Sequence, residues 1–147
     1  MLTQESGKDV LMYHLTEESF DIEVLREKGA VVVMFYERWC PKCSMTKPIV
    51  EELEKKYRGR IKFCEVEVAE NPRLAAACGA DIVPAFLFVK GGAVEASMKG
   101  TTGEKILEKK AEGIALRGSS FLFSSSIFKK SFVYNPAGMC YIEYGKD

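Results

Sequence analysis

The spacing of apolar residues changes period several times along this chain, and each change marks an element. Ala30-Val31-Val32-Val33-Met34-Phe35-Tyr36 is continuously apolar, which predicts a central strand covered on both faces. Ile61-Lys62-Phe63-Cys64-Glu65-Val66-Glu67-Val68 has period-two character and predicts a strand. Ala85-Phe86-Leu87-Phe88-Val89 and Ala93–Met98 flank Gly91-Gly92 and predict a hairpin. A weaker alternation predicts a first strand over Val10–His14.

The intervening segments have helical spacing. Thr16 as N-cap and Ser19 at the third helical position start a helix with Phe20, Val24 and Leu25 inward and Gly29 as its stop. A second helix runs from Pro41 to about Tyr57, with Met45, Ile49, Val50 and Leu53 apolar and a kink at Pro48. Asn71-Pro72 opens a short helix through Leu74 and Ala77 that Gly79 ends. A last helix starts at Thr101-Thr102-Gly103-Glu104 and carries Ile106, Leu107, Ala111, Ile114 and Leu116. The order β-α-β-α-β-α-β-β-α predicts an α/β domain: a central mixed β-sheet flanked by helices on both faces.

Composition shifts at Arg117-Gly118-Ser119-Ser120, dividing residues 1–117 from a C-terminal, aromatic-rich β extension over 118–147. Phe121-Leu122-Phe123, Phe132-Val133-Tyr134 and Tyr141-Ile142-Glu143-Tyr144 read as short strands, with a turn at Asn135-Pro136-Ala137-Gly138. This extension can pad the sheet edge, cover a site or pair with a second subunit.

Charge narrows the partners. Lys plus Arg and Asp plus Glu both number 21, so the net charge is zero and no nucleic-acid or membrane partner is expected. The polar start Met1–Asp9 is not a secretory signal, and a cytoplasmic location is expected. The cysteines, Cys40, Cys43, Cys64, Cys78 and Cys140, are odd in number and irregularly spaced, unlike the disulfide framework of a small secreted domain.

Trp39-Cys40-Pro41-Lys42-Cys43 carries the chemistry. The dithiol lies where the apolar strand gives way to a helix, whose unpaired N–H groups and partial positive charge favour an ionised sulfur. Thiol–disulfide exchange is the expected activity. A metal site would need two more ligands; the other cysteines form no second CxxC and His14 is the lone histidine, so no metal is expected.

From Asp9 to Arg117 the chain resembles thioredoxin, in Ser19-Phe20-Asp21, Trp39-Cys40-x-x-Cys43, Pro48, Asn71-Pro72, Val83-Pro84, Gly91-Gly92 and Gly100. The resemblance implies a thioredoxin fold and a cis bond before Pro84 in a loop against the dithiol. Such a loop turns the Val83 N–H and C=O outward to pair with a substrate strand. Cys40 is then the attacking thiolate, Cys43 the buried resolving thiol, and Trp39, Pro41, Lys42, Val83 and Pro84 bind substrate. The implied partners are disulfide-containing proteins and a thioredoxin-reductase-like electron donor, with no cofactor beyond the Cys40–Cys43 pair.

The chain departs from the family's pattern in three places. Pro41-Lys42 stands where Gly-Pro is common, and the Lys42 cation adds to the helix-end field on Cys40, unless it is merely solvated. The family's buried aspartate falls on Met34, which cannot carry a proton. The family's nearby lysine falls on Glu65, a candidate general base if it lies half-buried behind Cys43. Otherwise Glu65 points to solvent, as Glu67 could on the same alternating strand. Tyr36 replaces a common Trp. Cys64 reads as core, Cys78 as partly exposed and open to a regulatory role, and Cys140 as a buried bystander, a bridge between two subunits or a thiol reaching back to the site.

The leading expectation is a thiol–disulfide oxidoreductase acting as a thioredoxin-type reductant. A protein-binding module on the same fold and a redox-sensing homodimer formed through the extension are the alternatives, so the chain is expected as monomer or homodimer.

Overall fold

A computed structural model describes residues 12–116, together with the backbone of residues 130–134 and 140–144. Its elements follow the expected order: β1 (Tyr13–Leu15), α1 (Glu17–Phe20), β2 (Ala30–Tyr36), α2 (Pro41–Lys56), β3 (Ile61–Glu67), α3 (Pro72–Ala77), β4 (Ala85–Lys90), β5 (Ala93–Lys99), α4 (Glu104–Leu116), β6 (Lys130–Tyr134) and β7 (Cys140–Tyr144). They form one mixed sheet in the order β1-β3-β2-β4-β5-β6-β7. The first two pairings, β1–β3 and β2–β3, are parallel; β4 joins β2 antiparallel. Val10, Leu11, Phe121-Leu122-Phe123, the Asn135-Pro136 turn and the Cys140 side chain lie outside the described residues.

Strand β2 is the axis. All of Ala30–Phe35 is buried, as its unbroken apolar run requires. Val31, Val33 and Phe35 pack with Phe20, Val24, Cys64, Val66, Leu74 and Leu87 on one face. Ala30, Val32 and Met34 pack with Cys43, Val50, Leu53, Phe63, Phe86, Leu107 and Ile114 on the other. Each buried Val, Leu, Ile, Phe or Met among them contributes about 1.5–3 kcal/mol.

Local signals set the boundaries. Thr16 accepts the Ser19 N–H and Ser19 Oγ accepts the Thr16 N–H, so the expected N-cap is a full capping box. The expected stop at Gly29 is displaced: after Phe20 the chain widens into a π-helical turn (Asp21–Leu25) that ends when the Arg26 N–H bonds the Asp21 and Val24 carbonyls. Helix α2 runs unbroken through Pro48, with Lys55 and Lys56 in its last turn. Its buried stripe is Cys43, Thr46, Val50, Leu53 and Glu54, whereas Met45 is exposed. Met45 lies about 130° from the centre of this stripe at 100° per residue, so its apolar character misled. Ile106 and Leu116 are likewise exposed, leaving Leu107, Ala111 and Ile114 to pack α4.

Gly92 turns the β4–β5 hairpin at a φ of 80°, and a Cβ there would meet the Leu25 carbonyl oxygen at 2.4 Å. Only glycine fits. Asn71, buried, accepts the Glu17 N–H at 3.0 Å and donates to the Glu67 carbonyl at 3.0 Å, tying the start of α1 to the end of β3.

Candidate functional site

Cys40 is the N-cap of α2, in extended conformation, and its Sγ accepts the Cys43 N–H at 3.3 Å. Pro41 occupies the first helical turn, where no N–H is needed. The helix therefore begins by aiming an otherwise orphan N–H at the Cys40 sulfur.

The two cysteines differ sharply in surroundings. Cys40 is partly exposed and Cys43 is buried. Burial and a hydrogen bond with Cys40 push the Cys43 thiol up to about 12, partly offset by a hydrogen bond from the Glu37 backbone. Trp39, the sole Trp, is 90% exposed beside them. Pro41 and Lys42 are exposed as well.

The peptide bond Val83–Pro84 is cis, as the resemblance implied. Val83 packs on the same apolar cluster as Cys40, Cys43 and Met34, and Pro84 is buried behind it. Ile82, one residue earlier, is 53% exposed. Ile82 was not singled out in the sequence, although an apolar residue next to the Val83-Pro84 loop was a usable signal.

Sheet register explains where the polar group behind the dithiol has gone. His14, Glu65, Met34, Phe86 and Met98 form one row across β1, β3, β2, β4 and β5. Register partners point to the same face, so Glu65 faces the α2 side, as Met34 and Cys43 do. Its side chain is 13% exposed. Lys47 Nζ reaches Glu65 Oε1 at 3.0 Å and lies 5.0 Å above the Tyr36 ring. The contact is an ion pair off the hydrogen-bonding line, so this buried oxygen accepts no aligned hydrogen bond. Glu65 Oε2 lies 3.3 Å from His14 Nδ1. Burial, followed by Glu65, pushes the Tyr36 phenol up.

A cavity of about 260 Å³ adjoins Cys43, lined by Met34, Tyr36, Glu37, Arg38, Ser44 and Lys47. Glu65 is not among its lining residues and reaches it through Lys47. The space is ample for water.

Glu67 does not point to solvent; it is buried. Its carboxylate accepts the Arg38 and Glu70 N–H groups, each at 3.0 Å, and Arg38 closes onto Glu70 at 2.6 Å. The strand's alternation ends there, and the carboxylate is spent holding the loop that leads to Cys40. The sequence reading missed this role, because an acidic residue at a strand end resembles any solvated one.

Cys64 is core as expected, and burial pushes its thiol up to about 12. Cys78 is buried in the opposite cluster, against expectation, because the turn after α3 folds back on the sheet. A regulatory thiol there has no access. No helix among the described residues is long and apolar enough to cross a membrane.

The geometry agrees with sequence comparison. The family model described as Thioredoxin matches residues 11–112. The chain is 33% identical over 100 residues to the thioredoxin of Chlorobaculum thiosulfatiphilum, spanning 68% of this chain and 93% of that protein. It is 33% identical over 107 residues to thioredoxin 2 of Chlorobaculum tepidum, spanning 73% and 95%. With Allochromatium vinosum thioredoxin the identity is 32% over 94 residues, spanning 64% and 88%. By its fold, its dithiol at the start of α2, its cis Val83–Pro84 bond and these relatives, the chain belongs to the thioredoxin family.

Proposed function

We propose that the protein is a thiol–disulfide oxidoreductase that reduces disulfide-containing proteins and is re-reduced by a thioredoxin-reductase-like donor. The observation that carries this reading is the asymmetry of the pair: an N-capping, partly exposed Cys40 over a buried Cys43.

In this mechanism the Cys40 thiolate attacks a partner disulfide, forming a Cys40–S–S–partner bond and releasing the first partner sulfur as thiolate. Cys43 then loses its proton and attacks Cys40 Sγ. The Cys40–Cys43 disulfide forms, the bond to the partner breaks, and the second sulfur leaves as thiolate to take up a proton. Two electrons pass from the dithiol to the partner. The pair itself is the redox group, and no cofactor is assigned. Trp39, Pro41, Lys42, Val83 and Pro84 are assigned to partner binding, with the Val83 backbone as the pairing strand. Glu65, the candidate base of the sequence, is assigned to the site through Lys47.

The test is turnover of a protein disulfide by wild type and by Cys40→Ser, with Trp39 fluorescence reporting the redox state. Turnover by wild type alone is expected. The midpoint potential then fixes the direction: a value below about −230 mV marks a reductant, and one near −120 mV an oxidant.

A further inference from the structure

We propose that Lys47 controls release of the partner from the mixed disulfide, its ammonium facing the resolving Cys43 across the cavity while Glu65 holds it there. The inference rests on the exchange reading above and adds to it the group that makes the second step possible.

The need arises from burial. Cys43 must become a thiolate to attack, yet its surroundings favour the thiol. Around Cys43 the titratable and charged groups are Cys40, Lys42 and Lys47 on α2, Tyr36 on β2, Glu37 and Arg38 in the loop, and Glu65 on β3. Those that line the cavity and carry charge are Glu37, Arg38 and Lys47. Glu37 carries the wrong sign. Arg38 is turned out to Glu70, with a side chain 60% exposed. Lys47 is left.

Three features make Lys47 more than a surface cation. It follows Cys43 by four residues on α2, and helical side chains lean toward the N-terminus, so its stem lies back along the Cys43 side. Its Nζ is fixed on two sides, by the Tyr36 ring at 5.0 Å and Glu65 Oε1 at 3.0 Å. An ammonium has three donors and Glu65 Oε1 is one contact, so Nζ keeps donor capacity beside the cavity that Lys47 lines with Cys43. Met34, Tyr36 and Ser44 complete the lining without adding a charge, and Met34 can neither give nor take a proton.

In the resolving step the Cys43 proton leaves to cavity water as the Cys43–Cys40 bond forms, and the departing partner thiolate accepts a proton in turn. Lys47 gives up no atom. It lowers the cost of the sulfur's negative charge, and Glu65 is its positioning residue.

The experiment uses an aromatic disulfide whose released thiolate is coloured, mixed rapidly with the reduced full chain. The first equivalent reports attack by Cys40 and the second reports resolution by Cys43; Cys43→Ser defines the signal without resolution. A single charge within a few ångströms shifts a neighbour's titration by about one unit. Lys47→Met is therefore expected to slow the second phase about tenfold at pH 7 and move its profile about one unit upward. The first phase should stay within about twofold, and Lys47→Arg should restore the second. Glu65→Gln, which keeps the cation and removes the opposing charge, should slow the second phase less than Lys47→Met.

An unchanged second phase in Lys47→Met overturns the proposal. So does an Arg variant as slow as the Met variant, which would reduce Lys47 to a packing element. A Glu65→Gln defect as large as that of Lys47→Met would move the proton chemistry to Glu65. Absence of the first phase in wild type would instead overturn the exchange reading itself.

Discussion

Helix α2 holds a partly or fully buried carboxylate near each end, and the two are built differently. Toward its C-terminus Glu54, with a side chain 4% exposed, takes a two-pronged grip from Arg58: Nε to Oε2 at 2.9 Å and the terminal nitrogen to Oε1 at 2.6 Å. The partners are four residues apart, Glu54 in the last turn of α2 and Arg58 in the turn that follows it, so their approach is local. Near its N-terminus Lys47 meets Glu65, which comes from β3, at 3.0 Å but off the hydrogen-bonding line. The first carboxylate is satisfied and beside no reactive group. The second is under-satisfied and reaches, through Lys47, the cavity next to a thiol. Burial and opposite charge are common to both; geometric completeness separates the one that stabilises from the one poised for chemistry.

The largest expected effect breaks the chemical end outright. Cys43→Ser should abolish turnover while leaving the first attack intact, so that a covalent complex with a disulfide partner accumulates on Cys40. A gel under non-reducing conditions reads it directly. Continued turnover would mean that Cys43 does not resolve, and the contrast between the two ends of α2 would lose its chemical half.

The next effect is alkaline. Burial pushes Cys43 and Cys64 from 9.0 up to about 12, so the folded state keeps protons that the unfolded chain has lost. The unfolded state then binds fewer protons above pH 9, and stability must fall as pH rises from 9 toward 12. Each thiol contributes a slope of about 1.4 kcal/mol per pH unit. Forming the Cys40–Cys43 disulfide removes the Cys43 proton, so the oxidised protein should lose stability less steeply by about one proton. At the other end of α2, burial and the Glu108 and Glu112 carboxylates hold the Tyr57 phenol at about 12. Oxidation should leave that contribution in place. Urea unfolding of both redox forms across this range checks the difference, and parallel curves would show that Cys43 is not buried as described.

Sequence pattern revealed the elements because their signals are local: an unbroken apolar run at β2, the Thr16–Ser19 box, the Gly91-Gly92 turn. Cys40 and Cys43 were legible for the same reason, lying within one helical turn. What the pattern missed depends on pairs distant in sequence. Lys47 meets Glu65 only because β3 lies beside β2 in the register that sets Glu65 opposite Met34. Glu67 is received in its buried place by two backbone N–H groups, that of Arg38 in the loop after β2 and that of Glu70 in the turn after β3, and the first of these is distant in sequence. Met45 and Ile106 are among the apolar positions of their helices, yet both are exposed, because the stripe that packs is set by the sheet.

The smallest expected effect is also the one that best separates the two carboxylates. Glu54→Gln removes the acceptor charge from a nearly buried site and should cost about 1–3 kcal/mol, moderated because Arg58 is 39% exposed and can rehydrate. It should leave both phases of the exchange reaction unchanged. Glu65→Gln should cost under about 1 kcal/mol, since its ion-pair partner Lys47 is 36% exposed, its contact His14 is 46% exposed and its Oε1 surrenders no aligned bond. Its effect should appear in kinetics instead, as a changed pH profile of the resolving step. Denaturation midpoints and the two-phase assay on the same pair of variants make the comparison. If Glu65→Gln proved the more destabilising, or Glu54→Gln altered the exchange profile, hydrogen-bond completeness would not be what tells the structural from the chemical carboxylate around this helix.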